Sequence, residues 1–279
     1  MGKLFGLLGH PVGHSMSPIM HNDQFAFLGL DCYYHAFDVH PKKLENAVKG
    51  IKALGISGFN VTIPHKVEIM KYLDEIDEEA LQIGAVNTVV NRDGKLFGYN
   101  TDGKGFAVSL QTAAGADFLD KKMLIVGAGG AARGIFVTLA RMGANAIDIA
   151  NRTVEKAEQL IAGNPYPIQS GAKSIKEAEE NLAEYQIIIN TTSVGMSPKI
   201  DELPLQLTNM QPGTILSDII YNPLETKWLK EGKIVGAVTQ NGVGMFVGQG
   251  ALAFEMWTKE KPDYNRMEQI VMKQLGGNK

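Results

Sequence analysis

The run Gly127-Ala-Gly129-Gly130-Ala131-Ala132-Arg133 has the residue types that hold a dinucleotide pyrophosphate. It follows an apolar stretch, Lys122–Val126, that reads as a strand, and it opens a segment that reads as a helix to about Met142. In that setting Gly127 permits the tight turn and Gly129 lets the backbone approach the phosphates. Ala132 keeps the helix close to the strand. The helix N-terminus supplies N–H donors and positive potential. Cofactor choice lies with the next strand, Ala146–Ala150. An acid about 20 residues on marks NAD, and Asp148 stands near that distance but in mid-strand. The strand's end carries Asn151, Arg152 and Thr153. A guanidinium there can take a 2′-phosphate bidentately, which favours NADP(H). A solvated residue at a helix start is the plainer reading of Arg152.

Hydride transfer to a ketone also needs a proton for the new alkoxide and anchors for the substrate. In Asn60-Val-Thr-Ile-Pro-His-Lys66 the proline reads as a helix start directly after a strand. Lys66 then falls in the first turn, where the helix dipole disfavours a cation, a placement suited to proton transfer. A lysine pointing into solvent is the competing reading. Ser15 and Ser17 precede Pro18, so Ser17 reads as an N-cap. A helix N-terminus flanked by two hydroxyls is also an anion site where a carboxylate could dock. Asp102 reads as a second cap.

The elements that must position these residues alternate along the chain. Leu4–Leu8, Tyr33–Val39 and Gly58–Ile63 read as strands, with Ser17–Leu28 and Pro41–Leu54 as the helices between them. This rhythm predicts a parallel sheet covered by helices. Val86–Asn91 and Lys95–Tyr99 flank Arg92-Asp93-Gly94, which signals a hairpin. A helix from Asp102 to Ala114 leads into a second alternation. Its strands are Met123–Val126, Ala146–Ala150, Ile187–Asn190, Ile215–Ile219 and Ile234–Val238. Continuous apolar runs of this kind suit strands buried on both faces. The stretch from Gly242 to Gly276 reads as helical, broken at Pro262.

Composition narrows the function classes. A net charge of −3 and the lack of any Lys/Arg-rich run argue against a nucleic-acid partner. No stretch approaches ~18 uninterrupted apolar residues. The apolar N-terminal run is broken by Gly6 and Gly9. Neither a membrane span nor a signal peptide is expected, and the chain reads as cytoplasmic. The single cysteine, Cys32, excludes an intrachain disulfide and reads as an inert thiol at a strand start. The six histidines form no recognisable ligand set, so no metal is expected. His10, His14, His21 and His65 flank the proposed site as structural neighbours.

Seven stretches, taken in order, resemble the shikimate dehydrogenase family. They are Gly9–Pro18, Gly58–Lys66, Gly84–Thr88, Gly98–Gly103, Gly127–Arg133 with Asn151–Thr153, Asp218–Pro223 and Gly242–Ala251. The resemblance implies an N-terminal α/β substrate domain, residues 1–101 with 239–279, and a Rossmann-type doubly wound parallel-sheet NADP domain, residues 102–238. The C-terminal helices return to the first domain. It implies reversible NADPH-dependent reduction of 3-dehydroshikimate to shikimate in aromatic amino-acid biosynthesis, by a monomer or homodimer acting on a small molecule. Lys66 and Asp102 match the family's catalytic pair. Ser15 and Ser17 match its carboxylate contacts, with Tyr221 nearby, and Thr62, Asn87 and Gln249 match positions that bind ring hydroxyls. On the cofactor side Gly127, Ala128, Gly129, Gly130, Ala131, Asn151, Arg152, Thr153, Ile219 and Gly242 match. Gly248 stands where many members carry a larger residue. Two rivals predict different residues. A quinate-using, NAD-dependent relative favours an acid at the end of the second strand, and a non-catalytic NADP-binding regulator predicts loss of Lys66 or Asp102.

Overall fold

The computed structural model describes residues 2–276. The chain divides into two compact units: one runs to Thr101 and is joined by the residues from Val247 onward, and the other is Asp102–Phe246.

In the first unit, strands β1 (Lys3–Gly9), β2 (Cys32–Asp38) and β3 (Gly58–Val61) pair in parallel, with β1 between the other two. Helix α1 (Ser17–Phe27) links β1 to β2, and α2 (Leu44–Leu54) links β2 to β3. Alternation along β1 explains the layering. Phe5 and Leu7 point to one face with Phe25 and Tyr34, while Leu8 points to the other with Leu44, Val48 and Ile51 of α2. Each such fully buried side chain contributes roughly 1.5–3 kcal/mol. After β4 (Glu75–Ile76) and α3 (Glu78–Ile83), strands β5 (Thr88–Arg92) and β6 (Lys95–Tyr99) form the expected hairpin. Its two loop residues, Asp93 and Gly94, have φ of 52° and 86°, as a primed turn requires. The sheet order is β2-β1-β3-β5-β6-β4.

The second unit opens with α4 (Asp102–Ala114) and builds an all-parallel sheet. Its strands are β7 (Met123–Val126), β8 (Ile147–Ala150), β9 (Ala172–Lys173), β10 (Ile187–Asn190), β11 (Ile215–Asp218) and β12 (Val238–Gln240). They lie in the order β12-β11-β10-β7-β8-β9, so successive strands run outward in opposite directions from the β7/β10 pair. That reversal is the doubly wound arrangement, and ligands of such sheets sit at the carboxyl ends of the strands at the switch. Met123, Ile125, Ile187 and Ile189 face α4 and α5 (Gly130–Arg141), while Leu124, Val126 and Ile188 face α7 (Ile175–Glu180) and α8 (Lys227–Ile234). Helix α6 (Val154–Ala162) follows β8.

One expected strand is displaced. Ile234–Val238 was read as a strand from its apolar run, yet Ile234 ends α8 and β12 begins only at Val238. Thr226 starts this helix, its hydroxyl accepting the Leu229 N–H, and Ile234 at its end is 84% exposed. An apolar helix end carries the same short signature as a strand.

Helices α9 (Val243–Thr258) and α10 (Tyr264–Gln274) complete the chain. Within the first unit, Ala253, Phe254 and Trp257 of α9 pack on Phe5, Phe25 and Tyr34, and Trp257 Nε1 donates to the Val89 carbonyl at 2.9 Å. Arg266 of α10 donates twice to Asp23 of α1, at 2.6 and 2.9 Å. The division between the units falls at Val247 rather than after residue 238. Residues 238–240 pair with β11 and so belong to the second sheet.

Candidate active site

In the first unit, backbone bonds gather three of the expected residues at the carboxyl end of the sheet. Thr62 N–H donates to the Leu8 carbonyl at 2.9 Å, Val61 N–H to Asn87 O at 2.8 Å, and Val86 N–H to Lys66 O at 2.8 Å. Thr62, Lys66 and Asn87 are thereby fixed relative to one another on three adjoining segments. The setting of Lys66 differs from the expectation. Ile63–Pro64 is cis, the chain turns as His65 N–H donates to Thr62 O at 2.9 Å, and the 3-10 helix begins only at Glu68. Lys66 therefore sits in the turn between β3 and that helix, outside any helical first turn, and the dipole argument for it falls. His65 is buried, with Nε2 2.7 Å from the Val39 carbonyl, so it braces the turn.

Ser17 does not cap α1. The N-cap is Met16 without a side-chain bond, and the Ser17 N–H instead donates to Ser15 Oγ at 3.2 Å. Ser17 is instead buried, at 4% exposure. Tertiary packing has outweighed the local capping preference. Ser15 remains half-buried at the same helix entrance. Asn87 is 2% exposed and sits among Thr88 and Thr101. Its Oδ1 accepts the Thr101 N–H at 2.8 Å, and its Nδ2 lies 3.0 Å from Thr101 Oγ1. Gln249 lies on α9 beside Gly250, where a Cβ would overlap Met20 Cε on α1. That close approach brings Gln249 to the helix that Ser17 begins.

In the second unit the glycine loop leaves β7 at the switch of the sheet. Gly127 has φ of 111°, and a Cβ there would lie 2.6 Å from Thr191 Oγ1. Glycine is required on both counts. At Gly129 and Gly130, by contrast, a Cβ would meet nothing within 4 Å, and both residues are exposed. Protein packing does not ask for glycine there. Bare backbone with open space in front of it, at the N-terminus of α5, fits a pyrophosphate. Ala128 and Ala131 flank these positions, and Ala132 is fully buried in the core.

Beyond β8, Asn151 Nδ2 donates to Thr153 O at 2.8 Å and shapes the turn into α6, leaving Arg152 exposed at the strand's end. Asp148 is already occupied. Its two oxygens accept from Gly171 N–H at 2.7 Å and Tyr185 OH at 2.8 Å, so it is a structural carboxylate. Ile219 and Gly242 adjoin, since a Cβ on Gly242 would overlap the Ile219 carbonyl oxygen. Tyr221 stacks obliquely on Phe246 with ring centroids 5.0 Å apart, and burial pushes its phenol up.

Some residues of this face escaped sequence reasoning. Asp218, 1% exposed, accepts from Asn190 Nδ2 at 3.1 Å, Ile220 N at 3.0 Å and Thr226 Oγ1 at 2.9 Å. It anchors the turn bearing Ile219 and Tyr221, and burial pushes its carboxyl up to about 6. Thr191 and Thr192 flank the glycine loop, and Lys156 lies exposed in the first turn of α6. The available signal was polar residues placed directly after a strand's apolar run.

Asp102, expected as a cap, is the first residue of α4 itself. The next residue fixes that helix. A Cβ on Gly103 would overlap Thr138 Oγ1 and stand 2.6 Å from the Gly134 carbonyl, both on α5. The helix headed by Asp102 and the helix headed by the glycine loop thus meet at backbone distance. Gly103→Ala is expected to destabilise the protein by ~3 kcal/mol through overpacking, read as a lower melting temperature. Thr138→Ala restores only part of the loss, because the Gly134 carbonyl stays. An unchanged melting temperature would show that the helices can part at no cost.

Three family models match consecutive parts of the chain. Residues 7–89 match the shikimate dehydrogenase substrate binding domain, 109–202 the shikimate/quinate 5-dehydrogenase model and 242–272 the shikimate 5′-dehydrogenase C-terminal domain. A shikimate dehydrogenase (NADP(+)) of a Geobacillus species is 58% identical over 99% of this chain and all of its own. A crystal structure of shikimate dehydrogenase in complex with NADP+ is 47% identical, with a TM-score of 0.92 over 98% of this chain and 96% of that one. Shikimate 5-dehydrogenase of Listeria monocytogenes, crystallised with shikimate and NAD, is 40% identical, with a TM-score of 0.88 over 97% and 96%.

Proposed function

This chain belongs to the shikimate dehydrogenase family, and on that premise we propose how its residues divide the reaction among them. The chain is an oxidoreductase of the shikimate pathway, interconverting 3-dehydroshikimate and shikimate with NADP(H). The proposal concerns the site. Ser15 and Ser17 receive the substrate carboxylate with Tyr221, and Thr62, Asn87 and Gln249 bind ring hydroxyls. Lys66 and Asp102 manage the proton at the reacting oxygen. The observation that carries this reading is the gathering of Thr62, Lys66 and Asn87 by three backbone bonds at one end of the first sheet.

Bound NADPH supplies the hydride, and the protein's residues handle the remaining proton. In the reductive direction the ketone oxygen gains negative charge as the carbon is reduced. A lysine ammonium can donate a proton to that oxygen, and a carboxylate can orient the resulting hydroxyl and hold the lysine charged. In the oxidative direction Lys66 takes the proton back. Gly127 and Ala128–Ala131 cradle the pyrophosphate, Ile219 and Gly242 line the same cofactor, and Asn151, Arg152 and Thr153 take the 2′-phosphate. Lys156, in the first turn of α6, adds a second cation to that end. The chain works as a monomer or homodimer in the cytoplasm on a small molecule, without nucleic acid, a reading supported by its near-neutral charge. No helix among the described residues is long and apolar enough to cross a membrane.

The test is a matrix of kcat/KM for shikimate and quinate, each with NADP+ and NAD+. Shikimate with NADP+ is expected to give the highest value. A preference for quinate with NAD+ would overturn the assignment of Arg152 and of the ring contacts together.

A further inference from the structure

A continuous chain of hydrogen bonds runs through the interior of the first unit, from Tyr34 of β2 to the residue before Asp102. Its members are Tyr34, Asn60, Thr88, Asn87 and Thr101, each at most 4% exposed. Groups that can play only one part fix its directions. The Asn87 carbonyl can only accept, so the Asn60 atom 3.2 Å from it is Nδ2, which also donates to Thr88 Oγ1 at 3.1 Å. Asn60 Oδ1 therefore faces Tyr34 and takes its phenolic proton at 2.8 Å. At the other end the Thr101 N–H can only donate, so Oδ1 is the Asn87 atom 2.8 Å away. Thr88 Oγ1 adds a bond to the same Oδ1 at 3.1 Å. Neither amide can flip without breaking several bonds, so the chain has one arrangement.

Tyr34 stands at one end of this chain. Its ring is stacked on His21 with centroids 4.5 Å apart. Its backbone is clamped on both sides by the Asn22 side chain, at 2.8 and 2.9 Å. A phenylalanine would fill the same aromatic space, so the hydroxyl is there for its hydrogen bonds.

We infer that Tyr34 is a positioning residue for substrate recognition, holding Asn87 at the ring-hydroxyl end in one rigid frame through Asn60 and Thr88. This rests on the reading of Asn87 as a substrate contact. Thr88 has the same role on the far side of Asn60. Neither Tyr34 nor Thr88 is among the residues assigned to the cofactor, so the effect expected of them is on substrate binding.

The experiment uses the full-length enzyme with Tyr34→Phe, Thr88→Val and Asn87→Ala, and the double variant Tyr34→Phe/Asn87→Ala. Tyr34→Phe is expected to raise KM for shikimate roughly three- to tenfold, the effect of one lost hydrogen bond. The kcat and the KM for NADP+ should stay within about twofold. The double variant should be no worse than Asn87→Ala, because the hydroxyl acts through Asn87. An unchanged KM in Tyr34→Phe, additivity in the double variant, or an equal loss in both KM values overturns the inference. If Tyr34→Phe is too unstable to assay, Thr88→Val gives the same readings, alone and in the Asn87→Ala background. Unchanged KM in Asn87→Ala would instead remove the substrate contact itself, and the frame with it.

Discussion

Lys66→Ala is expected to lower kcat for shikimate oxidation by about three orders of magnitude, the middle of the range for a lost acid–base group. The Kd for NADP+ should stay within about twofold, since the residues assigned to the cofactor lie elsewhere in the chain. The physical ground is the rigidity of the placement. Lys66 is held in its turn by its own carbonyl, which accepts the Val86 N–H at 2.8 Å, and by buried His65 beside it. A solvent-facing lysine would need neither. Stopped-flow absorbance at the nicotinamide band with saturating shikimate measures the rate, and fluorescence titration measures the affinity. Retained turnover would remove Lys66 from the mechanism. Loss of NADP+ binding in step with turnover would point to a folding defect instead. A wild-type chain that binds NADP+ with no turnover would restore the regulator reading.

Arg152→Ala should raise the KM for NADPH by roughly 30- to 100-fold, corresponding to charge-assisted bonds worth about 2–3 kcal/mol. The KM for 3-dehydroshikimate should move by less than about threefold. The expected activity with NADH is nearly unaffected, because NADH has no 2′-phosphate to lose. Arg152 lies exposed at the end of β8, and the acid that would argue for NAD is spent on Gly171 and Tyr185. Equal losses with NADPH and NADH would falsify the 2′-phosphate assignment and leave Arg152 as a structural or adenine-stacking residue.

Much of the scaffold was legible because it follows local rules. Asp93-Gly94 dictates its hairpin through two positive-φ residues, and the segments Met123–Val126 and Ile187–Asn190, apolar but for the closing Asn190, are strands over those bounds. The glycine loop was legible because its strand and helix flank it in sequence. Three misreadings share one cause: a local signal with more than one structural outcome. Pro64 starts helices when trans but here follows a cis bond in a turn. Ser17-Pro18 looks like a cap, yet the cap position falls on Met16 and Ser17 is buried by tertiary packing. Ile234 ends a helix and Val235 caps it, so neither begins a strand. The groups that shape the site from behind were invisible for another reason. Asp218 depends on Asn190 and Thr226, and Asn60 depends on Tyr34 and Thr88, partners that only the folded sheet brings together.

The backbone-distance contact at Gly103 constrains how this sequence can drift. A side chain at 103 needs space that Thr138 and the Gly134 backbone already fill, so a larger residue there can survive only after α5 has moved away. That movement would shift the loop at the head of α5 as well. Divergence at position 103 is therefore coupled to the geometry of a loop 24 residues later in the chain. Relatives in which 103 is not glycine should have a different spacing between these two helices, and a library that randomises 103 alone should return glycine.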